Sequence, residues 1–240
     1  KSIDWKVSAR LGRPYIKRHR EERELVVNLL VDLSASGVFG TGSALKQEAA
    51  AETAAILAFN AVRNNDKVGA ILFTDRIERH IPPQKGSGHV WRLIREIFAF
   101  TPQGVGTDIR GALAFLGRLA RKRSVAFLIS DFQDDGYARE MRILSRKHEL
   151  VGIVLSDPGE FRLPDGGLVA LRDPETGTIR LLDASDPATR AAYEAARAES
   201  HRGRLGVLKA ADVDAVELRT GQSAADALAR YFRYRERRRR

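Results

Sequence analysis

Five residues spread over a hundred positions have types suited to one piece of chemistry. Asp32, Ser34 and Ser36 follow an apolar run as D-x-S-x-S within LLVDLSASGVFGTG, Thr107 sits in TPQGVGTD, and Asp131 ends SVAFLISD. All five offer hard oxygens, and two of them are carboxylates. Such a set selects Mg²⁺, Mn²⁺ or Ca²⁺ over softer metals, and with only two acids it leaves positive charge on the ion that a further anion would satisfy. The expected chemistry is a divalent cation, Mg²⁺ first, whose last ligand is an Asp or Glu of a partner protein. Taken one at a time, each residue also fits a helix cap, a turn, or an acceptor for backbone N–H groups after a strand. The joint spacing is what favours the cation.

The elements that must position these residues read as an α/β fold, a doubly wound, mostly parallel sheet. ELVVNLLVD is a nearly continuous apolar run, as expected of a strand covered on both faces. An alanine-rich helix follows over 43–63, with Leu45, Ala49, Ile56 and Phe59 predicted on its buried stripe. KVGAILFTD is a second strand, and the two residues Asp75 and Arg76 before IERHIPP allow only a hairpin. The third strand is therefore antiparallel and at the sheet edge, with Pro82 and Pro83 expected to end it. Helices carrying Val90, Ile94, Ile97 and Phe98, and then Ile109, Ala112, Leu116 and Leu119, come next. They are followed by the strand SVAFLISD, a helix around Met141 and Leu144, and the strand ELVGIVLSD. LPDGGLVALRDPETGTIRLLD predicts a β-hairpin insertion at about 160–183, with Gly166, Gly167 and Gly177 at turns. A short helix near 188–198, the strand DAVELRT and a basic C-terminal helix with Leu228, Tyr231 and Phe232 complete one domain over 24–240, preceded by a segment over 1–23. In a doubly wound sheet ligands bind at the carboxyl ends of the strands where the strand order reverses. Here that point lies between the first and fourth strands, the two that end in Asp32 and Asp131.

Composition narrows the alternatives. The chain has 240 residues, 43% of them hydrophobic, and no cysteine, which removes disulfides, iron–sulfur clusters and thiol catalysis. No apolar run reaches the ~20 residues of a membrane helix, and the cytosol is the expected compartment. The formal charge of +10 would suit a nucleic acid, yet much of the excess sits at the ends, as in YFRYRERRRR. Trp5 and Trp91 are isolated and expected in the core rather than stacked on bases. A nucleic-acid partner is not expected. His19, His80, His89, His148 and His201 lack metal spacing and serine partners, and are expected at surfaces or in loops. GTGSALK lacks the phosphate-loop spacing. A dehalogenase-type phosphatase would use Asp32 as nucleophile but requires a second aspartate where this chain has Ser34.

DLSAS, the GTD containing Thr107 and the SD ending at Asp131 resemble the metal-ion-dependent adhesion site of von Willebrand factor A domains. SIDWKVSARLGRPYIKRHREERELVV, with Asp4, Trp5 and Arg10, and DPGEFRLPDGGLVALRDPETG are similar to the DUF58 family, which is built around such a domain. The resemblance implies that Asp32, Ser34, Ser36, Thr107 and Asp131 are the metal positions. It also implies that the protein is a non-enzymatic adaptor associated with a MoxR-type AAA+ ATPase, itself thought to assemble or activate other proteins. Two positions depart from the family pattern: Gly37 stands where many relatives have methionine, and Asp131 is followed by Phe132 rather than glycine.

Overall fold

A computed structural model describes residues 24–42 and 44–238, together with the backbone of Ser2–Ile3 and Ile16–Lys17, which pair as a short antiparallel ladder. Asp4, Trp5, Arg10, His19, Ser43, Arg239 and Arg240 lie outside the described residues. The main sheet contains β1 (Val26–Asp32), β2 (Lys67–Phe73), β3 (Ile77–Gln84), β4 (Val125–Ser130), β5 (Glu149–Ser156) and, after a separate hairpin of β6 (Leu168–Arg172) and β7 (Ile179–Asp183), β8 (Asp214–Arg219). Its strand order is β8-β5-β4-β1-β2-β3. Every pair is parallel except β2 with β3. This is the doubly wound, mostly parallel sheet with an antiparallel edge strand that the sequence predicts for an A-type domain, and its reversal falls between β1 and β4.

The alternation along β1 explains the two-sided core. Leu29 and Val31 face one layer and Leu30 the other, because successive side chains of a strand point to opposite faces. On the first side lie α1 (Lys46–Arg63), α2 (Ser87–Ala99) and α6 (Ala224–Arg238), through Leu57, Leu93 and Leu228. On the other lie α3 (Ile109–Leu119), α4 (Ala138–Lys147) and α5 (Pro187–Ala210), through Leu113, Met141 and Leu208. Asn28, the polar residue within β1, is satisfied by donating its Nδ2 to Ser124 Oγ at 3.1 Å.

Several expectations need correction. The fully buried face of α1 is Ala50, Ala51, Thr53, Ala54, Leu57, Ala58 and Ala61; Ala49 and Ile56 of the expected stripe pack partly buried against the same core, and Phe59 is exposed. The sheet already supplies the bulky Val, Leu and Ile side chains, so the helix approaches on its small residues. Phe59 is left at the border with α2, edge-on to Trp91 at 5.2 Å between ring centroids. Trp91 is accordingly 59% exposed and not in the core, and Phe98 and Leu119 at their helix ends are exposed too. Pro82 and Pro83 do not end β3. They sit opposite Gly69 at a register shift, where an added β-carbon on Gly69 would lie 2.7 Å from Ile81 O and from Pro83 N. An edge strand tolerates prolines because its outer N–H groups need no partner. α5 extends to Ala210, well beyond 198; only Arg204 and Leu208 of its residues are buried, which leaves little periodicity to read. His89, on α2, is buried rather than at a surface or in a loop, and His148 lies in the link between α4 and β5 but is buried: His89 Nε2 meets Val68 O at 2.8 Å, and His148 Nδ1 meets Ser124 Oγ at 2.9 Å.

Phe132 accounts for one departure from the family pattern. Its φ of +57° is the left-handed region that glycine tolerates best, yet its ring is fully buried among Tyr137, Met141 and their neighbours, an apolar burial that offsets the backbone strain. Gly152 makes the space: an added β-carbon there would lie 2.3 Å from Leu208 Cδ2 and 3.2 Å from Phe132 Cζ. Gly152→Ala is therefore expected to destabilise the fold by about 1–3 kcal/mol, read as a lowered urea midpoint with an unchanged m-value.

Candidate functional site

The D-x-S-x-S turn folds tightly over the end of β1. Asp32 Oδ1 accepts Ser34 N at 2.9 Å, a 3₁₀ turn runs over Ala35–Val38, and the Ser34 and Ser36 hydroxyls lie 3.1 Å apart. Ser130, the last residue of β4, donates its hydroxyl to Asp32 Oδ2. Asp131 lies next along the chain, so the two carboxylates face one crevice lined also by Ser34, Ser36, Lys46 and Gln47.

The loop before α3 is fastened to the same edge. Ala35 N donates to Val105 O at 2.9 Å, Gln103 N and Gly104 N donate to Glu78 Oε1, and Asp108 N donates to Thr74 O. Gly104 allows this close approach, since an added β-carbon would lie 2.1 Å from Thr74 Oγ1. Thr107 nevertheless stands apart from the crevice that unites the other four predicted residues. Its hydroxyl donates to Glu175 Oε1 at 2.8 Å, at the tip of the β6–β7 hairpin.

Three ionic residues were missed from the sequence. Lys46, the first residue of α1 and only 2% exposed, donates from Nζ to Asp131 Oδ2 and to Glu160 Oε1, both at 2.6 Å. Glu160 comes from a 3₁₀ turn after β5 and Arg204 from α5, whose Nη1 donates to the Asp131 carbonyl at 3.1 Å. A lysine at the first turn of an alanine-rich helix, where acidic residues are favoured, was the signal available for Lys46; Glu160 and Arg204 gave none.

The electrostatics divide the two aspartates. Burial, reinforced by the Asp131 charge, pushes Asp32 up to about 7, against the hydrogen bonds from Ser130 and Ser34. Burial acts on Asp131 in the same direction, but the Lys46 ammonium overrides it and holds that carboxyl below its ordinary value. Lys46 in turn stays protonated above its usual range, burial being outweighed by Asp131 and Glu160. Among the described residues no cationic side chain forms an ion pair with Asp32, and no three His, Asp or Glu side chains gather closely enough to hold a metal by themselves.

A third strand-ending aspartate behaves differently. Asp157 accepts from Thr41 N and Oγ1, Thr220 Oγ1 and Gly159 N, so it brackets the glycine-rich loop after β1 against the ends of β5 and β8. The basic tail is partly anchored as well: Arg235 pairs with Glu149 and Arg238 with Asp214. No helix among the described residues is long and apolar enough to cross a membrane.

Among solved structures, the fold is similar to BatB from Bacteroides thetaiotaomicron, with a TM-score of 0.54 and 17% identity over 85% of this chain and 94% of that one. It is similar to an aerotolerance-related membrane protein from Bacteroides fragilis to nearly the same degree, with a TM-score of 0.53 and 18% identity over 85% and 96%. A weaker likeness, TM-score 0.47 at 12% identity over 85% of this chain and 94% of that one, is to the VWA domain of SpRpn10. Among curated proteins, uncharacterised proteins of Mycobacterium tuberculosis and Mycobacterium bovis are 32% identical over 238 residues, covering 98% of this chain and 75% of theirs. With the family profile matching residues 1–203, the chain belongs to DUF58, a protein family of unknown function.

Proposed function

We propose that the protein is a non-enzymatic interaction module that holds a divalent cation, Mg²⁺ first, in the crevice of Asp32, Ser34, Ser36 and Asp131, with Thr107, whose hydroxyl is turned to Glu175 in this structure, as the fifth oxygen, and uses it to capture a carboxylate of a partner. The observation that carries this reading is the meeting of Asp32 and Asp131 in one buried crevice with two hydroxyls beside them, while the protein's own cation, Lys46, serves Asp131 and Glu160 and not Asp32. Two carboxylates with several hydroxyls suit a hard cation and suit few others. Such an ion would bind an incoming acid group; Ser34 and Ser36 would orient it and the surrounding apolar strand ends would keep competing water out. The family resemblance extends the reading to a MoxR-type AAA+ ATPase as the partner that performs ATP-driven work on a client. The phosphatase alternative lacks its general acid, since Ser34 replaces the second aspartate.

The test is Mn²⁺ binding by electron paramagnetic resonance at millimolar metal, with circular dichroism to verify folding. Binding is expected for the native chain and its loss for Asp32→Ala. Equal binding by both forms would remove the cation from this crevice.

A further inference from the structure

The β6–β7 hairpin brings a carboxylate of the chain's own to the proposed cation site. Its turn is tightly built: Asp173 Oδ1 accepts from Glu175 N at 2.9 Å and Thr176 N at 3.1 Å, and Gly177, at φ +70°, returns its N–H to Asp173 O. Of the turn residues 173–178 only Glu175 is turned inward and half-buried. Its Oε1 takes the Thr107 hydroxyl at 2.8 Å, and an added β-carbon on Gly106 would lie 3.8 Å from Oε2. Burial pushes this carboxyl above its ordinary value, the nearby charges of Asp131 and Asp173 add to the shift, and the Thr107 and Ser36 hydroxyls oppose it, so the carboxylate lies within reach of Asp131 and Ser36 of the crevice. Among the described residues no cationic side chain forms an ion pair with it. An acid set beside Asp131, with no cationic side chain paired to it among the described residues, is better placed where a cation lies between the two carboxylates.

The rest of the hairpin is lightly held. Its strands pair with each other and not with the main sheet, and Leu168, Ile179 and Leu181 on its outer face are exposed. Lifting the tip would therefore disrupt no main-sheet pairing.

We propose that Glu175 is a carboxylate ligand supplied in cis: with the cation bound it occupies the position the partner's acid would take, so the hairpin is a plug that a partner must displace. This rests on the cation reading above. It makes partner capture an exchange of one carboxylate for another, and it makes hairpin closure and metal binding thermodynamically reciprocal.

That reciprocity supplies the test. The native chain, Glu175→Gln and Asp32→Ala are compared by Mn²⁺ titration and by amide hydrogen exchange over residues 168–183 with and without Mg²⁺. The expected result is that Mg²⁺ slows exchange at the native tip by roughly tenfold, that Glu175→Gln loses this slowing, and that its Mn²⁺ affinity falls by about the same factor. Unchanged Mn²⁺ affinity in folded Glu175→Gln, with exchange at the tip indifferent to Mg²⁺, would overturn the cis ligand while leaving the cation in place if Asp32→Ala still abolished binding. Binding by none of the three would overturn both.

Discussion

Replacing Lys46 with methionine is expected to lower stability by about 3–5 kcal/mol, because it leaves Asp131 and Glu160 buried without their shared cation. The methionine fills much the same volume, so the loss is electrostatic rather than a cavity. For a domain of this size the melting temperature should fall by roughly 6–20 °C. The double variant Lys46→Met, Glu160→Gln should recover part of the loss, since one of the two stranded charges is gone. A second consequence separates a structural lysine from one that shares a cation site. Removing the ammonium uncovers Asp131, so Mn²⁺ should bind Lys46→Met more tightly than the native chain, and added Mg²⁺ should restore much of the lost stability. Destabilisation with unchanged Mn²⁺ affinity would mean that Lys46 only braces the fold.

The second large effect concerns Asp32 and pH. Its carboxyl ionises at about 7 in the fold and near its ordinary 3.8 when unfolded, so the folded state binds the proton more tightly. The stability this group contributes is thus fully present below pH ~4 and is lost as pH rises, at up to about 1.4 kcal/mol per pH unit, until the folded carboxyl has ionised near 7. Asp32→Asn has no such charge. Comparing its urea midpoint with that of the native chain cancels the other titrating groups to first order, and the advantage of the variant should grow between pH 5 and 7. A bound divalent cation reverses the penalty. At one hundred times its dissociation constant, Mg²⁺ should return about 2.7 kcal/mol to the native chain at pH 8. It should return less at pH 5, where protons compete for Asp32, and nothing to Asp32→Asn. Parallel stability curves for the two chains, with and without Mg²⁺, would exclude a cation at Asp32.

The parts of the fold that were legible share a cause. β1, β2, β4 and β5 are buried on both faces, so their apolar runs are continuous, and the two-residue link before β3 permits only an antiparallel return. Element interiors bounded by solvent were harder. α5 buries too few residues to display a period, and the stripe of α1 was misread because alanine looks indifferent in sequence while serving as the contact surface in space. Trp91 illustrates the same limit: its size argues for the core, but its helix turns it toward Phe59 at the border.

The site divides in a similar way. Asp32, Ser34 and Ser36 are close in sequence, and the strand order placed Asp131 beside them, because a doubly wound sheet reverses direction between the first and fourth strands. Ser130–Asp131 and Ser156–Asp157 are identical strand endings that only the strand order tells apart in sequence; the structure adds that the first faces the crevice while the second is saturated by threonine and backbone donors. Lys46 carries a sequence signal at the start of its helix, but Glu160, Arg204 and Glu175, which reach the site from a 3₁₀ turn, a long helix and a hairpin tip, carry none. The sequence by itself determined the sheet, its edge and four of the oxygen-bearing residues that share the crevice, since these follow from local periodicity and from one topological rule. Only the tertiary structure decided which charges are compensated and which acid Thr107 meets, because charge compensation depends on distances of a few ångströms between segments as far as 114 residues apart.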